Sequence, residues 1–292
     1  MKIHPALALL CLLALPARAE AVPVLDYLGT YVWTDDDPNF GGFSGFDLAA
    51  DGATFVMVSD RGSLVTGTLI RNAQGLISGT TVAYRGPLVP ERGARTGRKV
   101  GDSEGLALED SGAFYVSFEG RARVVRYERP GEPGDLIEGP REFSGFPANE
   151  GLEALALDPD GTLYTMPEHA MLRGPFFPLY RYRQGIWDQP FKLPAVESFV
   201  PVGADVGPDG QLYVLERDFL GVRGFVSRLI RLDPAAGWVA QELMRTEPGT
   251  HDNLESISVW RDSAGTIRLT MISDDNFSFL QQTQLVEYRL VP

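Results

Sequence analysis

Five stretches of the chain repeat one pattern of apolar and polar positions. Phe46-Asp-Leu-Ala-Ala-Asp-Gly-Ala-Thr-Phe-Val-Met-Val-Ser-Asp60 and Leu106-Ala-Leu-Glu-Asp-Ser-Gly-Ala-Phe-Tyr-Val-Ser-Phe-Glu119 share a plan that recurs in Leu155 to Glu168, in Ala204 to Glu216 and, more loosely, in Ile257 to Asp274. Each unit reads as a short apolar strand, a turn, and a longer β-branched and aromatic strand. Asp-Gly and Ser-Gly between such runs are hairpin signals, because glycine takes positive φ without a Cβ penalty. Asp158-Pro159-Asp160-Gly161 accordingly reads as a turn rather than a calcium loop. Aligned on Gly52, Gly112, Gly161, Gly210 and Gly265, the units lie about fifty to sixty residues apart, at the upper end of propeller blade lengths.

Third strands are predicted at Val124 to Tyr127, Leu179 to Tyr182, Leu229 to Leu232 and Leu285 to Leu290. Fourth strands are predicted around Val82 to Tyr84, Phe143, Phe191 to Leu193 and Val239 to Leu243. Tandem four-stranded units suit a β-propeller, in which radial packing leaves only short, protected sheet edges. The last unit ends at its third strand, and Val24 to Val32 is a spare strand that could complete it. The expected fold is therefore all-β, a propeller of five four-stranded blades closed by the N-terminal strand on the C-terminal blade. A sixth blade fits only if Thr66 to Val100 hides another sheet. Helix-period patterns are nearly absent, which disfavours a parallel α/β fold.

The N-terminus stands apart from this pattern. Lys2, the apolar run Ile3 to Leu15, and Ala17-Arg18-Ala19 before Glu20 have the form of a secretory signal peptide, so residues 1–19 are expected to be removed and residues 20–292 to form one domain. The run falls short of the roughly twenty apolar residues that span a bilayer. A periplasmic or secreted, monomeric protein with no membrane insertion follows as the expectation. The single cysteine, Cys11, lies inside this leader, so disulfides, zinc-thiolate sites and cysteine nucleophiles are excluded from the mature chain. Loss of Lys2 and Arg18 would take the net charge from -13 to -15, which repels phosphate backbones and makes nucleic acid an unsuitable partner.

The acids are not scattered. In a propeller the start of the innermost strand and the end of the second lie at the same end of the blade, and the second strand of every unit ends in an acid: Asp60, Glu119, Glu168, Glu216 and Asp274. Glu104, Glu153 and Glu255 precede three innermost strands, with Ser44 and Val202 at the other two corresponding positions; Asp102, Glu150 and Asp252 lie nearby. A solvated polar rim is the plain alternative. Against it, clustered like charges repel unless a cation offsets them. All-oxygen donors suit a hard ion, Ca²⁺ before Mg²⁺ or Mn²⁺.

Basic residues are interleaved with these acids. Arg61 follows Asp60, Arg121 lies two residues after Glu119, Arg217 follows Glu216, and Arg98-Lys99 precedes Asp102. They could hold an anionic substrate through paired guanidinium hydrogen bonds, or they could neutralise the acids. His169 and His251, beside Glu168 and Asp252, are candidates for proton transfer or metal ligation. Nucleophilic hydrolysis lacks support: Gly42-Phe43-Ser44-Gly45-Phe46 breaks the G-x-S-x-G elbow at its final position. No Walker loop, H-E-x-x-H or dinucleotide fingerprint occurs.

Several segments together resemble a known bacterial family, the phytase-like proteins labelled with esterase-like activity. They are Phe43-Ser-Gly-Phe-Asp47, Ser59-Asp-Arg-Gly62, Asp102-Ser-Glu-Gly-Leu106, Phe118-Glu-Gly120, Asn149-Glu-Gly-Leu-Glu153 and Asn253-Leu-Glu255, and the similarity covers essentially the whole mature chain. Ser44 and Val202 depart from a complete acidic ring. The resemblance implies a metal-dependent hydrolase of a small anionic phosphoester, with Ca²⁺ held by Glu104, Glu119, Glu153 and Glu168 and phosphate held by Arg61 and Arg217. A non-catalytic propeller binding a ligand or protein at the same funnel is the alternative.

Overall fold

The computed structural model describes residues 23–94, 101–147, 151–168 and 175–291. The signal-like segment, Arg98, Lys99, Asn149, Glu150 and His169 lie outside the described residues. Within them the chain forms five four-stranded antiparallel sheets. Blade one holds β2 (Phe43–Leu48), β3 (Thr54–Ser59), β4 (Ser63–Arg71) and β5 (Ile77–Pro87). Blade two holds β6 (Ser103–Leu108), β7 (Phe114–Phe118), β8 (Arg123–Tyr127) and β9 (Asp135–Ile137). Blade three holds β10 (Leu152–Leu157), β11 (Leu163–Pro167), β12 (Phe176–Arg183) and β13 (Ile186–Pro194). Blade four holds β14 (Val200–Val206), β15 (Leu212–Phe219), β16 (Phe225–Asp233) and β17 (Val239–Arg245). Blade five joins β18 (Asn253–Arg261), β19 (Ile267–Asp274) and β20 (Gln284–Val291) to β1 (Val24–Val32), whose antiparallel pairing runs from Val24 opposite Val291 to Val32 opposite Gln284.

The innermost strands β2, β6, β10, β14 and β18 touch in a closed ring, so the fold is a five-bladed β-propeller. Thr66 to Ala94 is taken up by the end of β4, the long β5 and a turn, and no sixth sheet exists among the described residues. The fourth strand expected at Phe143 is instead the short β9, and Phe143 lies in a 3₁₀ helix, Arg141–Gly145, that follows Gly139-Pro140. Proline supplies no N–H to a strand ladder, and Phe143 packs edge-on against Tyr180 and Trp187 instead.

Each pair of neighbouring blades encloses its own apolar cluster, five in all. Both faces of a blade are therefore buried, which is why β2 and β19 are buried along their whole length. Successive side chains of one strand go to different clusters: Leu212 and Val214 face blade three, whereas Tyr213 and Leu215 face blade five. Fully buried rings such as Phe118 hold the blades together, and truncating one to alanine would cost about 3–5 kcal/mol. The Asp158 turn is what its sequence implies: the Asp158 and Asp160 carboxylates accept the amides of Asp160 and Thr162 inside the loop.

Candidate metal centre

Every innermost strand carries one irregularity at the same place. The register slips between Phe43 and Gly45, Ser103 and Leu106, Leu152 and Ala154, Pro201 and Gly203, and Leu254 and Ser256. The residues left outside the ladder are Ser44, Glu104 with Gly105, Glu153, Val202 and Glu255. A β-bulge bends its strand and re-aims the extra side chain. Small residues then let the blades close up: a Cβ on Gly45 would stand 2.4 Å from the Glu104 carbonyl oxygen, and one on Gly105 would stand 2.3 Å from that of Glu153.

The second strands deliver the other acids to the same mouth. β3, β7 and β11 stop immediately before Asp60, Glu119 and Glu168, and β19 ends on Asp274. Backbone bonds tie this rim together, since Asp102 N–H donates to Asp60 O at 2.7 Å and Glu119 N–H donates to Asp102 O at 2.9 Å. One carboxylate oxygen from each of Glu104, Glu119 and Glu153 lies within 4.8 Å of the others. Glu104 and Glu153 are buried and Glu119 is half-buried.

Burial and mutual repulsion govern these groups. Burial pushes Glu104 well above the usual carboxylate range, and Glu153, Glu255, Glu119 and Asp60 push it further. Glu153 is raised well above its ordinary value by burial and then by Glu168, Glu255 and Glu119. Burial, with Glu168 and Asp102, lifts Glu119 to about 7. Burial, with Glu255 and Asp60, lifts Asp274 to about 8. Asp60 is also raised by burial, and its Oδ1 is buried without a hydrogen-bond partner. Among the described residues no cationic side chain forms an ion pair with Glu104, Glu119 or Glu153.

Blade four breaks the pattern. The strand position before each bulge stands opposite Ser59, Phe118, Pro167 and Ser273, each followed by an acid, but in blade four Pro201 stands opposite Glu216 and the residue that follows is Arg217. Glu216, one position earlier, therefore points to the other face of its sheet. There it is fully buried and paired with Arg228 at 2.6 Å, away from the funnel. Its place among the metal ligands is thereby corrected. Arg217 takes the funnel position, donating to Glu255, to Asn253 Oδ1 at 2.7 Å and to Glu168 Oε1 at 3.1 Å. Its guanidinium neutralises the acids of blades three and five, and burial still leaves Glu255 raised despite that pairing.

The remaining candidates divide. Arg61 is exposed at the mouth, stacked 3.4 Å over the Phe277 ring. Arg121 is exposed in the turn after Glu119. His251 lies elsewhere: it is buried against Tyr27 and Tyr288, and its Nε2 is 2.6 Å from the Tyr288 hydroxyl. Asp252 spends its oxygens on Gln281, Gln282 and Asn253, holding the loop between β19 and β20. Ser44 donates to Ser103 O at 2.6 Å, and Val202 sits in the cluster between blades four and five. Sequence reasoning missed Asp275, which binds the Gly42 amide across the closure; its only signal was the adjacent pair Asp274-Asp275.

The molecule is thus a five-bladed propeller with a carboxylate-lined funnel at one mouth. It belongs to the phytase-like family described as "esterase-like activity of phytase", whose family model matches residues 38–277. Among curated proteins none matches. Similar solved structures include the nidogen/laminin complex, at 12% identity with 84% of this chain and 83% of that chain covered and a TM-score of 0.46. A gluconolactonase from Xanthomonas campestris is similar at 16% identity, covering 82% of this chain and 69% of that one, with a TM-score of 0.45. A protein of unknown function from Dyadobacter fermentans is similar at 11% identity, covering 85% and 76%, with a TM-score of 0.47.

Proposed function

We propose that the funnel binds a divalent cation, Ca²⁺ before Mg²⁺ or Mn²⁺, and that the protein is a cation-dependent hydrolase of anionic esters, phosphoesters first. The observation that carries this reading is the approach of Glu104, Glu119 and Glu153 oxygens to within 4.8 Å of one another. Oxygens bound to one Ca²⁺ at about 2.3–2.6 Å can be at most about 5 Å apart, so the donor set suits such an ion. The unpartnered Asp60 Oδ1 at the same mouth points the same way.

The chain's own residues divide the work. Glu104, Glu119 and Glu153 would hold the ion, with Asp60 and Asp274 adding negative charge at the mouth. When bound, the ion supplies Lewis-acid polarisation of a phosphoryl oxygen and a more acidic water. Arg217 fixes Glu168 and Glu255 in place, and Glu168, partly exposed beside it, is suited to accept a proton from water. Arg61 offers an exposed guanidinium to an anionic substrate. This reading takes the chain as exported and monomeric, which N-terminal sequencing and light scattering of the purified protein would check.

A ligand-binding propeller without turnover is the second reading, favoured by Arg217, which already neutralises part of the ring. Hydrolysis of a phosphoester panel with Ca²⁺ decides between them. On the enzyme reading, Glu104→Gln lowers the rate by about two orders of magnitude or more while the fold is kept. Equal trace rates in wild type and mutant would remove the enzyme reading.

A further inference from the structure

The mouth that carries the funnel also carries an apolar feature outside it. β15 continues past Arg217 to Phe219, which pairs with Phe225 at the start of β16, so this hairpin projects beyond the points where β3, β7 and β11 stop. Its end exposes Phe219 (61%) and Val222 (106%), and the neighbouring loop between β19 and β20 exposes Phe279 (95%) and Leu280 (78%). Between the two loops lies a cleft of about 520 Å³ lined by Phe219, Val222, Phe225, Leu280, His251 and Gln281, among others. Large exposed apolar side chains gathered in one place mark a contact surface, and this volume falls in the range of small-molecule sites.

The cleft adjoins the funnel through one shared wall, Phe225. The Phe225 ring, tilted against that of Phe219 at 4.8 Å between ring centres, also lies 5.9 Å from the Arg217 guanidinium carbon, and Arg217 is bonded to Glu168 and Glu255. We propose that the cleft is the apolar subsite of the funnel, so that the substrate is an amphipathic anionic ester: its aryl or acyl group lies between the two loops and its anionic end reaches the carboxylate mouth. This rests on the hydrolase reading of the funnel and names the class of substrate it takes.

Calorimetric titration of Ca²⁺-loaded protein with 1-naphthylphosphonate, which has no ester bond to cleave, and with inorganic phosphate tests it, using wild type, Phe219→Ser, Leu280→Ser and Glu104→Gln. Both loop residues are exposed, so their removal leaves the fold intact. The naphthyl compound is expected to bind about tenfold more tightly than phosphate, as burial of an aromatic ring allows. Phe219→Ser and Leu280→Ser should remove most of that advantage and leave phosphate affinity unchanged, and Glu104→Gln should weaken both ligands. An advantage that survives both loop substitutions, with Glu104→Gln still weakening binding, overturns the subsite alone. If Glu104→Gln changes neither ligand while the loop variants still act, the funnel reading falls and the cleft stands. Pelleting with phosphatidylcholine vesicles that depends on Phe219 and Leu280, without any naphthyl advantage, would assign the loops to a lipid surface and overturn the proposal.

Discussion

The two mouths of the central channel are both acidic, yet they handle their carboxylates in opposite ways. At the far mouth, Asp47 and Asp205 are buried on the innermost strands β2 and β14, facing a cavity of about 580 Å³. Asp47 accepts from the amides of Leu48 and Leu108 and from the Ser258 hydroxyl, so it binds blades two and five to blade one. Asp205 accepts from the amides of Val206 and Val259 in the same manner. Burial still lifts Asp47 to about 6 and holds Asp205 well above its ordinary value, but every carboxylate oxygen there has a donor. At the funnel mouth, Glu104, Glu119 and Glu153 face one another instead. Donors from neighbouring blades fix the two far-mouth carboxylates in place, whereas the funnel acids are set against one another's charge, which the proposed cation would offset.

Breaking the funnel's internal neutralisation should have the largest effect. Arg217→Ala leaves Glu168 and Glu255 without their partner, and losing one member of a partly buried ion pair costs about 3–5 kcal/mol. Urea denaturation should show that loss, and Glu255→Gln in the same background should recover part of it. A loss under 1 kcal/mol would mean that the acids are well hydrated.

The pH profile sharpens the contrast next. Glu119 and Asp274 are lifted to about 7 and about 8 from ordinary values of 4.5 and 3.8. The folded state therefore binds their protons more tightly than the unfolded chain does. Their stabilising contribution is complete below about pH 4 and is lost as pH rises through 7 and 8. Cation-free protein should lose several degrees of melting temperature between about pH 5 and pH 8, and Ca²⁺ should flatten the slope by taking the protons' place. A melting temperature that rises over that interval in chelator contradicts the account.

The far mouth should respond least. Ser258→Ala removes the hydrogen bond to Asp47 and the one accepted from the Leu48 amide and should cost about 1–2 kcal/mol, with the Ca²⁺ response of the melting curve unchanged. A lost Ca²⁺ response would show that the two mouths are not independent.

The blades were legible because each turn repeats its glycine and each strand its apolar run, and β1 was legible as the closing strand because the last unit lacked a fourth. Phe143 was not, since aromatic composition suits a strand and a packed 3₁₀ turn equally. The funnel acids were legible wherever the second strand stops on schedule. Glu216 was misread because β15 runs on to Phe219, so the acid nearest the expected strand end lies one position before the funnel position and on the other face. Nothing in the sequence announces the five bulges that aim Glu104, Glu153 and Glu255, because a bulge is a property of register between two strands.

The central claim is that Glu104, Glu119 and Glu153 form one cation site, and calorimetric titration of metal-stripped protein with Ca²⁺, alongside Glu153→Gln, tests it most directly. Wild type should bind with a saturating isotherm, and its unfolding free energy should rise by about 2.7 kcal/mol at a hundredfold excess over Kd, whereas Glu153→Gln should bind at least about tenfold more weakly. No heat of binding and an unchanged melting curve at millimolar Ca²⁺ would contradict the account and leave the funnel a protonated acidic rim.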